Sequence, residues 1–164
     1  LTGAAPDLAA AMAAEGQPEA TFRALDAALR AEVGHLLFTV LVLDEARGVS
    51  WRAYSSNPEA YPPAGEKPIR RDSEHYRVVV QEGRPRLLRD RTAVVAAFPD
   101  HELILSLGCE SAVNVPVRWN GRTLGGLNIL DRAGRYTEEQ FPILLRHAAF
   151  AVAPILHLLH GAPK

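Results

Sequence analysis

The sequence predicts a single α/β domain, α+β in its segregation, built on a central and largely antiparallel sheet. Three observations carry that prediction. Residues 103–131 read as a helical pattern stopped at Gly108, a strand through Ala112, Val113, Asn114, Val115, Pro116 and Val117, a turn at Asn120-Gly121, and a second strand. Residues 36–43 are almost continuously apolar and rich in β-branched and aromatic side chains, the mark of a central strand buried on both faces. Apolar residues recur at helical spacing near both ends of the chain. A length of 164 residues suits one domain, for which folding buries roughly two-thirds of the unfolded chain's surface.

Each element follows in order. Residues 1–17 are alanine-rich, hold Pro6 and offer little to bury, so a flexible N-terminal segment is expected ahead of a domain over 18–160. Pro18 suits the first turn of a helix whose Phe22, Leu25, Ala28, Leu29 and Val33 share a face before Gly34 ends it. After the 36–43 strand, residues 44–48 turn the chain and 49–55 run back beside it. Alternation puts Trp51, Ala53 and Ser55 on one face of this second strand and Arg52 and Tyr54 on the other. Residues 55–72, with Pro58, Pro62, Pro63, Gly65 and Pro68, read as one long irregular stretch, the kind of segment that forms functional lids. Asp72 or Ser73 caps a helix running to Gln81, terminated by Gly83 and Pro85, and Leu87-Leu88 forms a short edge strand. A helical segment over 92–107 breaks at Pro99 and restarts at Asp100. Thr137 and Gln140 make a capping box for a final helix carrying Leu144, Leu145, Ala148, Val152, Ile155 and Leu156, which Pro154 bends or shortens.

Hairpin register decides which side chains share a face. A two-residue Asn120-Gly121 turn puts Asn114 and Asn128 on opposite faces. A three-residue loop of Trp119, Asn120 and Gly121, pairing Arg118 with Arg122, sorts the residues better and is the register expected. It gathers Val113, Val115, Val117, Leu127 and Ile129 on a face that belongs against helices. Glu110, Ala112, Asn114, Pro116, Gly126 and Asn128 share the other face.

Composition narrows the function. With 18 basic and 19 acidic side chains there is no basic excess, and the densest basic run, 84–91, also contains Asp90, so no nucleic-acid partner is expected. Cys109 is the only cysteine, which rules out an intrachain disulfide and a thiolate-rich zinc site and points to a reducing cytoplasm. No apolar run approaches the roughly 20 residues needed to span a bilayer, so no membrane partner is expected. Six histidines are scattered, and His157 with His160 is the only pair at helical spacing, too few ligands for a metal. No complete catalytic constellation is visible, and no glycine loop opens a helix to cradle phosphate.

The local motifs point to a family. Gln81-Glu82-Gly83-Arg84-Pro85 followed by Leu87 resembles the E-x-G-x-P-x-x-x-x-D element of GAF domains, with Asp90 at the closing aspartate. Val115-Pro116-Val117, then Gly121-Arg122, Leu124-Gly125 and Leu127, resembles the family's V-P-hydrophobic, glycine, hydrophobic-G-x-hydrophobic hairpin. Tyr136-Thr137-Glu138-Glu139 resembles its aromatic-T-x-x-D start of the last helix. The order of helices and strands also resembles a GAF domain, over roughly residues 18 to 158. The resemblance implies a PAS-related sensory or regulatory module of signal transduction. It implies terminal helices packed on one sheet face, a small-ligand cavity under loops on the other, and a homodimer through the first and last helices. For that dimer, the Phe22, Leu25, Leu29 stripe and the Leu145, Val152, Leu156 stripe offer apolar area beyond the needs of one sheet face.

The expected ligand-binding residues are Tyr54, Tyr61, His75, Glu110, Asn114 and Asn128. The two asparagines present amides on the face that the resemblance assigns to the cavity, although either can instead serve a neighbouring loop. Tyr54 and Tyr61 flank the lid and can stack on a ligand or sit at the core edge, and His75 approaches from the lid side. Glu110 is either a ligand contact or an exposed carboxylate at a strand start. Cys109 is the redox candidate, set against its reading as a small buried hydrophobe. The cofactor is unknown. No covalent tetrapyrrole is expected, because Glu110 follows Cys109 where bilin-carrying GAF domains have histidine, and Leu130 stands near a strand end that often carries another. The signature of cyclic-nucleotide GAF domains is missing. Free methionine-R-sulfoxide reductases, which resemble this fold, relay a disulfide through several cysteines. Non-catalytic ligand sensing is therefore the expected function, with a Cys109-dependent redox enzyme or sensor and a ligand-free dimerisation module as alternatives.

Overall fold

The computed structural model describes residues 5–161, so the first four residues of the expected flexible segment lie outside it. Within that segment, Asp7 caps a short helix α1 (Leu8–Ala13) that buries none of its residues. The Gln17 side chain ties it down by donating to the Ala11 carbonyl at 2.7 Å. Helix α2 (Glu19–Glu32) follows, with Phe22, Leu25, Ala28 and Leu29 buried at the expected spacing.

Six strands form one antiparallel sheet: β1 (Leu37–Asp44), β2 (Val49–Ser55), β3 (Ala64–Pro68), β4 (Arg86–Leu88), β5 (Ser111–Trp119) and β6 (Arg122–Asp131). Their spatial order is β3-β2-β1-β6-β5-β4, so β1 is central as its unbroken apolar run requires. Between β3 and β4 lies a π-helical stretch (Tyr76–Gln81) whose Val78, Val79 and Val80 are buried. Helices α3 (Arg91–Ala97) and α4 (His101–Ser106) connect β4 to β5, and Asp90, the closing aspartate of the motif, caps α3 by accepting from the Ala93 N–H at 2.9 Å. After the capping box at Thr137 come α5 (Phe141–Ala149) and α6 (Val152–His160), inclined by 49° to each other. Pro154 explains the break, because it has no N–H to donate to the Phe150 carbonyl. No single helix among the described residues is long and apolar enough to cross a membrane.

Four expectations need correction. The stretch over 55–72 is not wholly irregular, since β3 pairs with β2 inside it. Its sequence, Ala-Gly-Glu-Lys-Pro, has poor strand propensity. An edge position tolerates this, and Arg47 braces it with two bonds of 2.7 Å to Glu66. Second, Arg52 and Tyr54 do not share a face. The register jumps between Val40 paired with Tyr54 and Leu41 paired with Arg52, leaving Ala53 as the extra residue of a bulge. Tyr54 therefore packs with Phe22 and Phe38 on the helix side, while Arg52 points to the opposite side.

The hairpin is the third correction. Trp119 pairs with Arg122 across a two-residue turn in which Asn120 (φ 49°) and Gly121 (φ 73°) are both left-handed. A bulge at Leu124 then restores the parity, so the sorting of faces holds although the turn does not: Val113, Val115, Val117, Leu127 and Ile129 enter the helix-side core, and Asn114 lies directly opposite Asn128. Fourth, Phe22, Leu25 and Leu29 are 0% exposed within one chain. They are consumed by the sheet and leave no spare stripe for a partner. Leu145 stays exposed, and Val152 and Leu156 half-exposed.

Candidate functional site

On the sheet face away from α2, α5 and α6, one row of polar side chains crosses four strands. Arg86 on β4 faces Asn114 on β5, Asn114 faces Asn128 on β6, and Asn128 faces Thr39 on β1. Asn114 Nδ2 donates to Asn128 Oδ1 at 2.8 Å, and Asn128 Nδ2 donates to Thr39 Oγ1 at 3.2 Å. The row is not closed at its β4 end. Asn114 Oδ1 and Arg86 Nε have no hydrogen-bond partner among the described residues, though both side chains are buried. Glu74 Oε2 approaches Arg86 Nη1 only to 3.7 Å. Burial pulls the guanidinium's pKa down and Glu74 partly restores it, but an arginine keeps its proton in either case.

This row floors a cavity of about 570 Å3. Leu41, Leu88, Ala97 and Phe98 contribute apolar wall, and the start of the π-helical stretch contributes Glu74 and His75. Burial pushes the His75 pKa down to about 4, with the Arg86 charge adding to the effect, so the imidazole is neutral at pH 7. The 55–72 segment at the cavity's rim is pinned on one side by a polar latch. Tyr61 donates to Asp100 Oδ2 at 2.7 Å, beside α4, while the Arg52 guanidinium lies 3.6 Å from the centre of the Tyr61 ring and donates to the Pro62 carbonyl at 2.6 Å. Burial and the Asp100 bond both hold the Tyr61 phenol protonated.

Of the residues expected at a ligand site, Tyr61, His75, Asn114 and Asn128 meet at this cavity. Three do not. Tyr54 lies on the helix side, where its hydroxyl donates to Asp26 Oδ2 at 2.9 Å; Asp26 Oδ1 also lies 3.0 Å from His35 Nε2, so the group clamps α2 to the sheet. Those partners lower the Asp26 pKa against the upward pull of burial. Glu110 lies outside the cavity and pairs with Arg91 at 3.4 Å. Cys109 is 0% exposed in the small core with Tyr61, Leu88 and Leu130. Burial, with Asp131 adding, pushes its thiol up to about 11.

Sequence reasoning missed Arg86, Arg52, Thr39 and Asp100. Arg86 had a signal: Leu87 packs against the helix-side core, so alternation sends Arg86 and Leu88 to the opposite face. Arg52 had none, because the bulge that aims it is invisible in the pattern. No group of three or more His, Cys, Asp or Glu that could hold a metal occurs among the described residues.

The profile of the GAF domain family matches residues 19–156. No curated protein matches the chain. Among solved structures, the GAF domain of an Acinetobacter phosphoenolpyruvate-protein phosphotransferase superposes with a TM-score of 0.73 at 13% identity, covering 95% of this chain and 92% of that one. The GAF domain of a two-component sensor histidine kinase from Bacillus halodurans gives 0.67 at 12% identity, covering 88% and 96%. Free methionine-R-sulfoxide reductase from Neisseria meningitidis, solved with its substrate, gives 0.63 at 19% identity, covering 91% and 84%. At these identities the likeness is one of fold.

Proposed function

The chain belongs to the GAF domain family, and from that premise we propose that it is a non-catalytic sensory module of signal transduction that binds a small molecule in the cavity beneath the lid. One observation carries this reading: a cavity of about 570 Å3, within the size range of small-molecule sites, has a polar row of Thr39, Asn114, Asn128 and Arg86 for a floor and apolar walls from Leu41, Leu88, Ala97 and Phe98. Apolar walls with a few polar groups on one side are the usual make-up of such a site. Coupling to output follows from the layers. Strands β1, β5 and β6 carry the cavity floor on one face and bear α5 and α6 on the other, so a ligand that favours one packing of the sheet shifts the population of helix arrangements.

The thiol-redox alternative has a specific observation against it, since reactive cysteines are exposed and low in pKa whereas the Cys109 thiol is buried and pushed up to about 11. We extend the proposal to a cytoplasmic homodimer. The dimer rests on Leu145, Val152 and Leu156 alone, and sedimentation showing only monomer at roughly tens of micromolar would remove it. Native mass spectrometry tests the central reading. A small molecule should leave with denaturation and stabilise the protein when returned to it; a bare chain that no metabolite fraction stabilises would overturn sensing.

A further inference from the structure

At one end of the sheet, outside the cavity, an exposed tryptophan stands beside arginines that no carboxylate engages. Trp119, at the tip of the β5–β6 hairpin, is 57% exposed, more than any other large apolar side chain among the described residues. The turn does not need it, because Asn120 and Gly121 supply both left-handed residues. Arg122 pairs with Trp119 across the turn, yet its charge does not sit over the ring: the cation–π contacts among the described residues are those of Arg52 with Tyr61 and Arg71 with Tyr76. Arg118 is held in place. Its Nη1 donates to Thr123 Oγ1 at 2.9 Å and its Nη2 to the Gly121 carbonyl at 3.1 Å, and Thr123 Oγ1 is itself anchored on the Val80 carbonyl at 2.9 Å. The guanidinium lies so close over Gly83 that a side-chain carbon there would meet it at 2.8 Å. Each of the two nitrogens keeps a second N–H, and Arg118 is exposed. Glu82, the carboxylate of the neighbouring turn, is taken by Arg77 at 2.8 Å and by Arg84. Neither Arg118 nor Arg122 enters an ion pair among the described residues.

We propose that this tip is a docking surface for an extended acidic segment of a partner protein, one that carries several carboxylates around an apolar side chain. Tryptophan and arginine are the side chains on which interfaces most often depend, because each brings a large contact area and a polar handle. The Arg118 guanidinium, ordered before any partner arrives, loses little freedom on binding and offers paired N–H groups to a planar carboxylate. The apolar side chain lies on the open face of the indole, and a second carboxylate reaches Arg122. Charge decides the class of partner. The two turns at this end carry Arg84, Arg118 and Arg122 against one carboxylate, Glu82, whereas the whole chain balances 18 basic against 19 acidic side chains. So small and local an excess does not make the long basic stripe that holds a nucleic-acid backbone, and attraction to an anionic lipid surface needs no fixed fork. The tip shares no residue with the cavity, so docking and sensing stand or fall separately.

The test is calorimetric titration of the full chain at low salt with four probes: an end-blocked peptide Glu-Glu-Pro-Leu-Glu-Glu, the same peptide with glutamine for every glutamate, vesicles containing phosphatidylserine, and a short single-stranded oligothymidine. The acidic peptide should bind, move the tryptophan emission to shorter wavelength, and weaken about fivefold or more between roughly 50 and 300 mM salt. The glutamine peptide should bind roughly tenfold or more weakly, since every charge-assisted bond is lost. Trp119→Ser and Arg122→Gln should each weaken the acidic peptide about fivefold or more. Arg122→Gln, which takes away no hydrogen bond among the described residues, should do so without lowering the melting point. Arg118→Gln should lose roughly tenfold, and Arg118→Lys, which keeps the charge and loses the fork, should fall between. A tip that only braces the hairpin would give the opposite pattern, with a lowered melting point for Trp119→Ser and peptide binding as before. Equal binding of the two peptides, unchanged binding by Trp119→Ser or Arg122→Gln, tighter binding of the vesicles or the oligothymidine, or silence from all four probes would each overturn the proposal.

Discussion

The two faces of the sheet are built from the same strands and obey opposite rules. Towards α2, α5 and α6, residues such as Phe38, Val40, Val113, Val115 and Ile129 are fully buried, and the polar groups packed there, among them Tyr54 with Asp26 and His35, Tyr136 and His147, are hydrogen-bonded, with His35 Nδ1 left over. One residue along on each strand, Thr39, Asn114 and Asn128 line a cavity, and the row they form ends in unsatisfied atoms. The helix face stabilises the fold. The cavity face forgoes part of that stabilisation, which is the expected signature of a surface kept for a ligand.

The sharpest way to break this contrast is to truncate each face in turn. Phe22→Ala, at a side chain 0% exposed on the helix side, should cost about 3–5 kcal/mol in a denaturant melt. Leu41→Ala, at a half-buried position beside the cavity, should cost about 1 kcal/mol because much of the removed group already faces open space. Equal losses would mean that the cavity face is an ordinary core.

Acid should act on the cavity side through His75. Its pKa in the folded protein, about 4, lies below the ordinary 6.5 because burial and Arg86 disfavour the charged ring. As pH falls, the unfolded chain therefore takes up the proton first. Stability is whole above about pH 6.5 and declines towards pH 4, by about 3 kcal/mol at most. His75→Gln should lack that decline, seen as a smaller difference between urea midpoints at pH 7 and pH 4.5. Parallel losses in the two proteins would show that the imidazole is solvated.

How much of this was readable beforehand differs between the faces in the same way. The helix face follows from periodicity, since Phe22, Leu25 and Leu29 recur at helical spacing and β1 is an apolar run, and burial enforces both. Which side chains face the cavity depends on two bulges. One, at Leu124, undid the error of the assumed turn and left Asn114 and Asn128 on the expected face; the other, at Ala53, carried Tyr54 to the core and Arg52 to the cavity. An extra residue in a strand leaves no trace in an alternation pattern until its partner strand is known. Strand β3 was missed because an edge strand needs little propensity when β2 supplies the pairing.

The latch gives a smaller effect. Tyr61→Phe removes the bond to Asp100 and should cost about 1–1.5 kcal/mol. It should also speed proteolysis between residues 57 and 71, where a bound ligand would slow it. Cleavage at an unchanged rate would place the opening elsewhere than at the latch.

The finest distinction lies inside the polar row itself. Asn128 has both ends of its amide engaged, accepting from Asn114 and donating to Thr39. Asn114 has one end engaged and one orphaned. Replacing Asn128 with leucine strands the buried Asn114 Nδ2 and takes away the donor to Thr39, whereas replacing Asn114 strands only Asn128 Oδ1 and also removes an acceptor that was already unpaired. Asn128→Leu should therefore cost about 1–3 kcal/mol, and Asn114→Leu about 1 kcal/mol less. The double variant should cost less than the sum of the two, because the second substitution removes what the first left stranded. Ligand binding should weaken in both, since both side chains line the cavity. If thermal melts give Asn114→Leu the larger loss of stability and leave its ligand response intact, the row is a structural girder across the sheet and the cavity above it has no hold on the amide.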